Sequence, residues 1–75
     1  MKTEYTICEH IADLAKPNNG WTKELNYIDW NHREPVYDIR TWTEDHKQYG
    51  KGVTLTYNEL KKLKKILNSG RFKNL

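Results

Sequence analysis

Residues 37–55 read YDIRTWTEDHKQYGKGVTL, and the phase of this stretch decides the fold. Tyr37, Ile39 and Thr41 fall on one parity; Asp38, Arg40 and Trp42 fall on the other. This is the period of two that marks a strand. With Val36 ahead and Thr43 behind, the strand covers residues 36–43. Glu44 to Lys51 reads as a charged loop, and Gly52-Val53-Thr54-Leu55 as a short strand after it. Gly50-Lys51-Gly52 lacks the remainder of a Walker loop and reads as a flexible turn. Charged groups seldom face a core unpaired. Ile39 is therefore expected to point inward, with Arg40 and Trp42 on the opposite, solvated face. Pairing of Arg40 with Asp38 is the structural alternative.

The helix follows at once. Thr56-Tyr57-Asn58-Glu59 fits a capping box, and Leu60, Leu63, Ile66 and Leu67 form one stripe at 100° per residue. Lysines 61, 62, 64 and 65 cover the rest, and Gly70 is a natural stop, which predicts a helix over about residues 57–69. The tail Arg71–Leu75 is expected to fray.

Upstream, Trp21 to Trp30 alternates as a strand. Trp21, Lys23, Leu25 and Tyr27 share one face, and Thr22, Glu24, Asn26, Ile28 and Trp30 share the other. Asn31 to Pro35 is a polar connection. Pro17-Asn18-Asn19-Gly20 is the strongest turn signal in the chain. Residues 4–14 read as a strand whose apolar parity shifts part-way, which predicts a bulge. The expected architecture is α+β: a four-stranded antiparallel sheet (about residues 4–14, 21–30, 36–43 and 52–55) followed by one C-terminal helix, in a single domain over residues 1–75.

Composition limits what such a domain can do. Of 75 residues, 36% are hydrophobic and 31% charged, so a monomeric core is marginal. Cys8 is alone and forms no internal disulfide; it is expected to be a small buried residue in a reducing, cytoplasmic setting. No Cys/His cluster has the spacing of a structural zinc site, and no cofactor is implied. Oligomerisation is the remaining route to stability, so a homodimer is expected, with Leu60, Leu63, Ile66 and Leu67 at its interface. No apolar run approaches a membrane span. Charge is unevenly placed: five Lys/Arg against nine Asp/Glu up to Asp45, then eight against one from His46 onward. A basic C-terminal part points to an anionic partner.

Nucleic acid is held by pairing cations with phosphates and by stacking bases on rings. The chain interleaves these groups: Trp21 with Lys23, Trp30 with His32 and Arg33, Arg40 with Trp42, Lys47 with Tyr49 and Lys51. Interleaving suits an extended single strand. Trp21 is the tryptophan most suited to core or dimer filling. His32, Glu34, Asp38, Asp45 and His46 could in principle form a metal-dependent nuclease site, and nothing in their spacing favours one. The chain is expected to bind rather than to catalyse. A protein–protein interaction module, such as a small phage regulator, is the alternative.

Asp38-Ile39-Arg40, then Trp42, then Gly50-Lys51-Gly52-Val53-Thr54-Leu55 and a helix resemble the family of transcriptional positive cofactor four, in particular its compact bacterial members of the YdbC type. The resemblance runs from about Trp21 to Asn68. It implies a homodimer that binds single-stranded DNA on its sheets with little sequence preference, acting in transcription or genome maintenance, with the transcription machinery as a further partner. RNA stays open as a ligand. Carried over, Arg40 is the strand arginine that contacts DNA, Lys47 and Lys51 are loop lysines, Lys23 is a basic position on the preceding strand, and Trp30 is a stacking aromatic. The pattern departs in three places: Thr41 replaces an acidic residue, Thr43 replaces the second aromatic, and His32-Arg33-Glu34 replaces a lysine-rich tip. Arg33 is the substitute cation at that tip. The full expected interface is Lys23, Trp30, Arg33, Arg40, Trp42, Lys47 and Lys51, with Trp30 and Trp42 stacking on bases.

Overall fold

The computed structural model describes residues 3–73 and Leu75. Asn74, in the tail expected to fray, lies outside the described residues, as do Met1 and Lys2. Four strands run in chain order, β1 (Tyr5–Asp13), β2 (Trp21–Trp30), β3 (Val36–Thr43) and β4 (Tyr49–Leu55), followed by α1 (Tyr57–Leu67). They form one antiparallel sheet in the order β1-β2-β3-β4. No described helix is long and apolar enough to cross a membrane.

Local chemistry sets the turns. Asn19 and Gly20 both take positive φ (52° and 82°), and Asn18 and Trp21 exchange both backbone hydrogen bonds around them. Two successive left-handed residues make the type I′ turn that matches strand twist, where Gly is free of a Cβ penalty. Asn31 and His32 repeat this geometry between β2 and β3, with Arg33 N donating to Trp30 O. At α1 the capping box is complete: Thr56 Oγ1 accepts from Glu59 N at 3.1 Å, and Glu59 Oε1 accepts from Thr56 N at 2.8 Å. The helix ends at Leu67 with Asn68 as cap, two residues earlier than expected, and Gly70 takes φ 84° just beyond.

The parity shift in β1 is two bulges. Ile7 pairs with Ile28 but Glu9 with Tyr27, so Cys8 is extra; His10 pairs with Asn26 but Ala12 with Leu25, so Ile11 is extra. Cys8 is exposed at its bulge rather than buried. β4 carries a third bulge. Arg40 pairs with Gly52 and Trp42 with Tyr49, leaving Gly50 and Lys51 opposite Thr41. The strand therefore begins at Tyr49, and the expected loop 44–51 shrinks to residues 44–48.

Bulges increase local twist, and the sheet curls far enough to bring its two ends together. Trp30 and Trp42 lie toward opposite ends of the β2–β3 hairpin: Trp42 pairs with Thr22, eight residues from Trp30. In a flat sheet that is roughly 26 Å. Their ring centroids are 6.2 Å apart. Tyr5, at the Trp30 end, lies 5.1 Å from Trp42, and its hydroxyl donates to the carbonyl of His46 in the β3–β4 loop. The concave face so formed is that of Trp42, and it contains all the buried residues among those described: Glu24, Asn26, Ile28, Asp38 and Trp42.

This reverses the expected sense of the sheet. The Arg40 face is the interior of the arch, and the Ile39 face is its outer side. There Leu25, Ile39 and Leu55 are only half-buried and Val53 is 51% exposed. Charge was an unreliable guide because the interior charges are paired. α1 packs beside β3 and β4. Leu60 and Leu63 are half-buried, Ile66 and Leu67 are exposed, and no helix residue is fully buried.

Candidate nucleic-acid interface

At the mouth of the arch, four rings from β1, β2, β3 and β4 pack together. Trp42 lies 5.1 Å from Tyr5 and 5.3 Å from Tyr49, and Trp30 lies 5.6 Å from Tyr5 and 5.1 Å from Tyr49. Edge and tilted contacts of this kind add about 0.5–1.5 kcal/mol per pair beyond area burial. The indole N–H groups of Trp30 and Trp42 are buried with no acceptor among the described residues.

Arg40 sits beneath these rings. Its Nε donates to Asp38 Oδ1 and a terminal nitrogen to Asp38 Oδ2, each at 2.8 Å, while its other terminal nitrogen donates to Gly50 O at 3.2 Å. The guanidinium carbon lies 4.7 Å from the Trp30 ring centroid and 5.7 Å from that of Tyr49. Bidentate pairing and aromatic contact both exploit the planar guanidinium. Gly52 lets β4 pass close against the root of this side chain, since a Cβ there would stand 2.3 Å from Arg40 Cβ.

Two expected binding residues are thereby reassigned. Trp42 has 0% exposure and cannot offer a ring face to a base; the curl of the sheet closes the other rings over it. Arg40 is 14% exposed at its side chain, and its fork is held by Asp38, so it is a packing cation and not a free phosphate ligand. The alternative reading of Arg40, pairing with Asp38, is the one the structure shows.

The remaining expected residues stay accessible. Trp30 is half-buried, and Lys23, Arg33, Lys47 and Lys51 are exposed; none of the four cations enters an ion pair among the described residues. They are not all together. Lys23 lies on the outer face, paired with Thr41, and Arg33 is at the β2–β3 turn. Lys47 and Lys51 flank Tyr49 in sequence, and the curl brings Trp30 against Tyr49. Tyr49, noted in the sequence between two lysines but left out of the expected interface, is the ring the structure adds to it. In the loop, Asp45 Oδ1 accepts from Lys47 N at 3.0 Å and from Thr43 Oγ1 at 2.8 Å. The Lys47 backbone bond first, and then the Thr43 hydroxyl, hold the Asp45 carboxyl below its ordinary value.

The five residues considered for a nuclease site are dispersed. His32 contacts Glu4, Asp38 holds Arg40, Asp45 holds the loop, and His46 bonds Glu24.

This order of strands and helix, with an Asp-Ile-Arg strand facing a Gly-Lys-Gly bulge, is matched in sequence by a defined family. The pattern of Transcriptional Coactivator p15 (PC4) covers residues 17–66. The chain belongs to the transcriptional coactivator p15 (PC4) family. A relative in Treponema pallidum (strain Nichols), an uncharacterized protein, is 45% identical over 65 residues, spanning 87% of this chain and 76% of its own. The PC4 match begins at Pro17 and ends within α1, so it takes in β2, β3 and β4 with every element of the aromatic mouth except Tyr5.

Proposed function

We propose that the chain is a homodimeric, sequence-tolerant single-stranded DNA-binding protein acting in transcription or genome maintenance. Membership of the PC4 family supports this class of role. The observation that carries the reading is the Trp30–Tyr49 contact at 5.1 Å, with Lys47 and Lys51 two residues to either side of Tyr49. Rings beside unpaired ammonium groups are the elements needed to hold a splayed strand, since stacking contributes about 1–3 kcal/mol per base without regard to sequence. Arg33 extends the cationic surface at the β2–β3 turn, whereas Lys23 lies on the outer face, apart from the rings.

Exposed apolar groups on the outer face and on α1 support the dimer. Half-exposed Leu25 and Ile39, with Val53, Ile66 and Leu67 exposed, leave apolar surface that a second copy would cover. This includes two of the four helix positions expected at the interface.

The deciding experiment is an electrophoretic shift with labelled oligo-dT, with and without magnesium, competed by duplex DNA and by RNA of matched length. Retention of oligo-dT without cleavage, with duplex a poor competitor, is the expected result. Cleavage would place the chain among enzymes. No shift at low salt would favour a protein-interaction module. RNA competing as well as oligo-dT would broaden the ligand to single strands in general.

A further inference from the structure

Beside the aromatic mouth, where the His46 ring lies 5.5 Å from that of Trp42, the interior of the arch gathers a second polar group that DNA binding does not use. Residues three apart on a regular strand point to opposite faces. The Ile11 bulge removes that phase difference: His10 pairs with Asn26 and Asp13 with Glu24, so both β1 residues share the face of Glu24 and Asn26. One ligand-capable atom from each of His10, Asp13 and Glu24 then lies within 4.8 Å of the others. We propose that these three residues bind a divalent first-row transition cation of the zinc class.

The hydrogen bonds around the cluster orient it for that purpose. Asn26, fully buried, donates from Nδ2 to Glu24 Oε1 at 3.1 Å, which turns its Oδ1 toward His10 Nδ1 at 2.7 Å. In the neutral imidazole this places the proton on Nδ1, which also lies 3.3 Å from Glu24 Oε1, and the lone pair on Nε2. That lone pair faces Asp13 Oδ1 at 3.1 Å. Two acceptors at this distance repel each other unless a proton or a cation lies between them. Ligands bonded at about 2.05 Å to one zinc ion stand roughly 2.9–3.4 Å apart at octahedral to tetrahedral angles; the His10–Asp13 pair already has this spacing, while Glu24, within 4.8 Å of both, would close on the ion by a side-chain adjustment. A histidine whose other nitrogen donates to an oxygen is also the usual arrangement for a metal ligand.

Glu24 is the inner ligand, with its side chain 6% exposed. His46 Nε2 donates to its two oxygens at 2.9 and 3.0 Å, so that β3–β4 loop residue positions the carboxylate without being counted as a ligand. His10 and Asp13 are partly open to solvent and border a cleft of about 460 Å³ that also touches Thr22 and Glu44, giving an entry path and leaving room for water on the ion. A nitrogen donor among carboxylates favours zinc-like ions over magnesium and calcium, which take oxygen sets.

The test uses the full chain and the metal alone: Zn²⁺ titrated against a chromophoric chelator, and Co²⁺ uptake read from its d–d absorption. One ion per chain is expected, not displaced by equimolar Mg²⁺. His10→Gln and Asp13→Asn, both at partly exposed positions and checked for folding by circular dichroism, should each weaken binding by more than about tenfold. His46→Gln should cost about 10–100-fold, the usual effect of losing a group that orients a ligand. His32→Gln, at the opposite turn, should change nothing. Absence of stoichiometric uptake would overturn the proposal and leave a proton between His10 and Asp13. Unchanged uptake in the folded His10→Gln/Asp13→Asn double variant, or an equal loss in His32→Gln, would overturn it by moving the metal elsewhere.

Discussion

Arg40 and Asp38 form a bidentate pair inside the arch, both bonds at 2.8 Å, with the carboxylate fully buried. The pair joins two alternate residues of one strand, and the guanidinium also ties β3 to Gly50 O in β4. Arg40→Ala leaves the carboxylate without its partner in the interior, a change that typically costs about 3–5 kcal/mol. Urea unfolding should register a loss of this order. Arg40→Lys should recover little of it, because an ammonium cannot supply the fork. A folded Arg40→Ala protein of unchanged stability that has lost DNA affinity would return Arg40 to the binding surface.

Trp30 and Trp42 separate by the same reasoning. Trp42→Ala opens a cavity beneath Tyr5 and Tyr49 and should destabilise the fold by about 3–5 kcal/mol. Trp30 retains exposed surface, so oligo-dT should quench or shift its fluorescence. In Trp42→Phe that DNA-dependent signal should persist; in Trp30→Phe it should fall sharply. Titration of both variants with oligo-dT distinguishes them, and a signal that follows Trp42 would contradict the assignment.

β2 and β3 were legible to the residue because Trp21–Trp30 and Val36–Thr43 alternate cleanly between turn residues. The capping box located α1, and the broken apolar parity of residues 4–14 announced the bulges. The sense of the faces was not legible. A rule that places charges outside has no access to pairing, and Asp38 with Arg40, and Glu24 with His46, are interior because they pair. Opposite charges two apart on one strand, as in Asp38-Ile39-Arg40, are the local hint. Gly50 and Gly52 misled in another way. They look like a turn, but each removes a side chain where β4 passes close to β3, at Thr41 and Arg40. The curl that joins Trp30 to Tyr49 is a tertiary property of several bulges acting together, which no single stretch encodes.

Gly52 offers a direct check on that close approach. A Cβ would meet Ile39 O at 2.4 Å as well as Arg40 Cβ at 2.3 Å, so backbone must move. Gly52→Ala should destabilise by about 1–3 kcal/mol, the usual cost of overpacking. Gly20→Ala meets nothing within 4 Å and suffers only its positive φ of 82°. Its loss should be smaller, about 1 kcal/mol. Thermal melts of the two variants should rank in that order.

Asp45 gives a pH dependence with a definite sign. Its carboxyl is held below the ordinary value of 3.8 by the Lys47 amide and then the Thr43 hydroxyl. A depressed folded value means that the stabilisation is fully present above about 3.8 and is lost as pH falls through the lower, folded value. An NMR titration of the Asp45 carboxyl should place its midpoint below 3.8. Asp45→Ala should flatten the acid-side loss of stability and loosen the Lys47 loop. A midpoint at or above the ordinary value would contradict the loop geometry.

Val53 tests the dimer. It is 51% exposed on the outer face, where its cross-strand partner Ile39 is half-buried. A two-fold interface places the same residue on both copies, so each substitution counts twice. Fully burying a valine is worth roughly 1.5 kcal/mol or more. Val53, 51% exposed, has about half of this to gain on each copy, and Val53→Glu also adds two like charges, so the dimer dissociation constant should rise by at least about 10-fold. The proposed dimer predicts that sedimentation at micromolar concentration shows a dimer for the parent chain and a folded monomer for Val53→Glu. Affinity for oligo-dT should fall with it, because each subunit alone presents half of the cationic surface. A Val53→Glu protein that remains dimeric would remove the sheet from the interface and leave it to the exposed end of α1 alone, around Ile66 and Leu67.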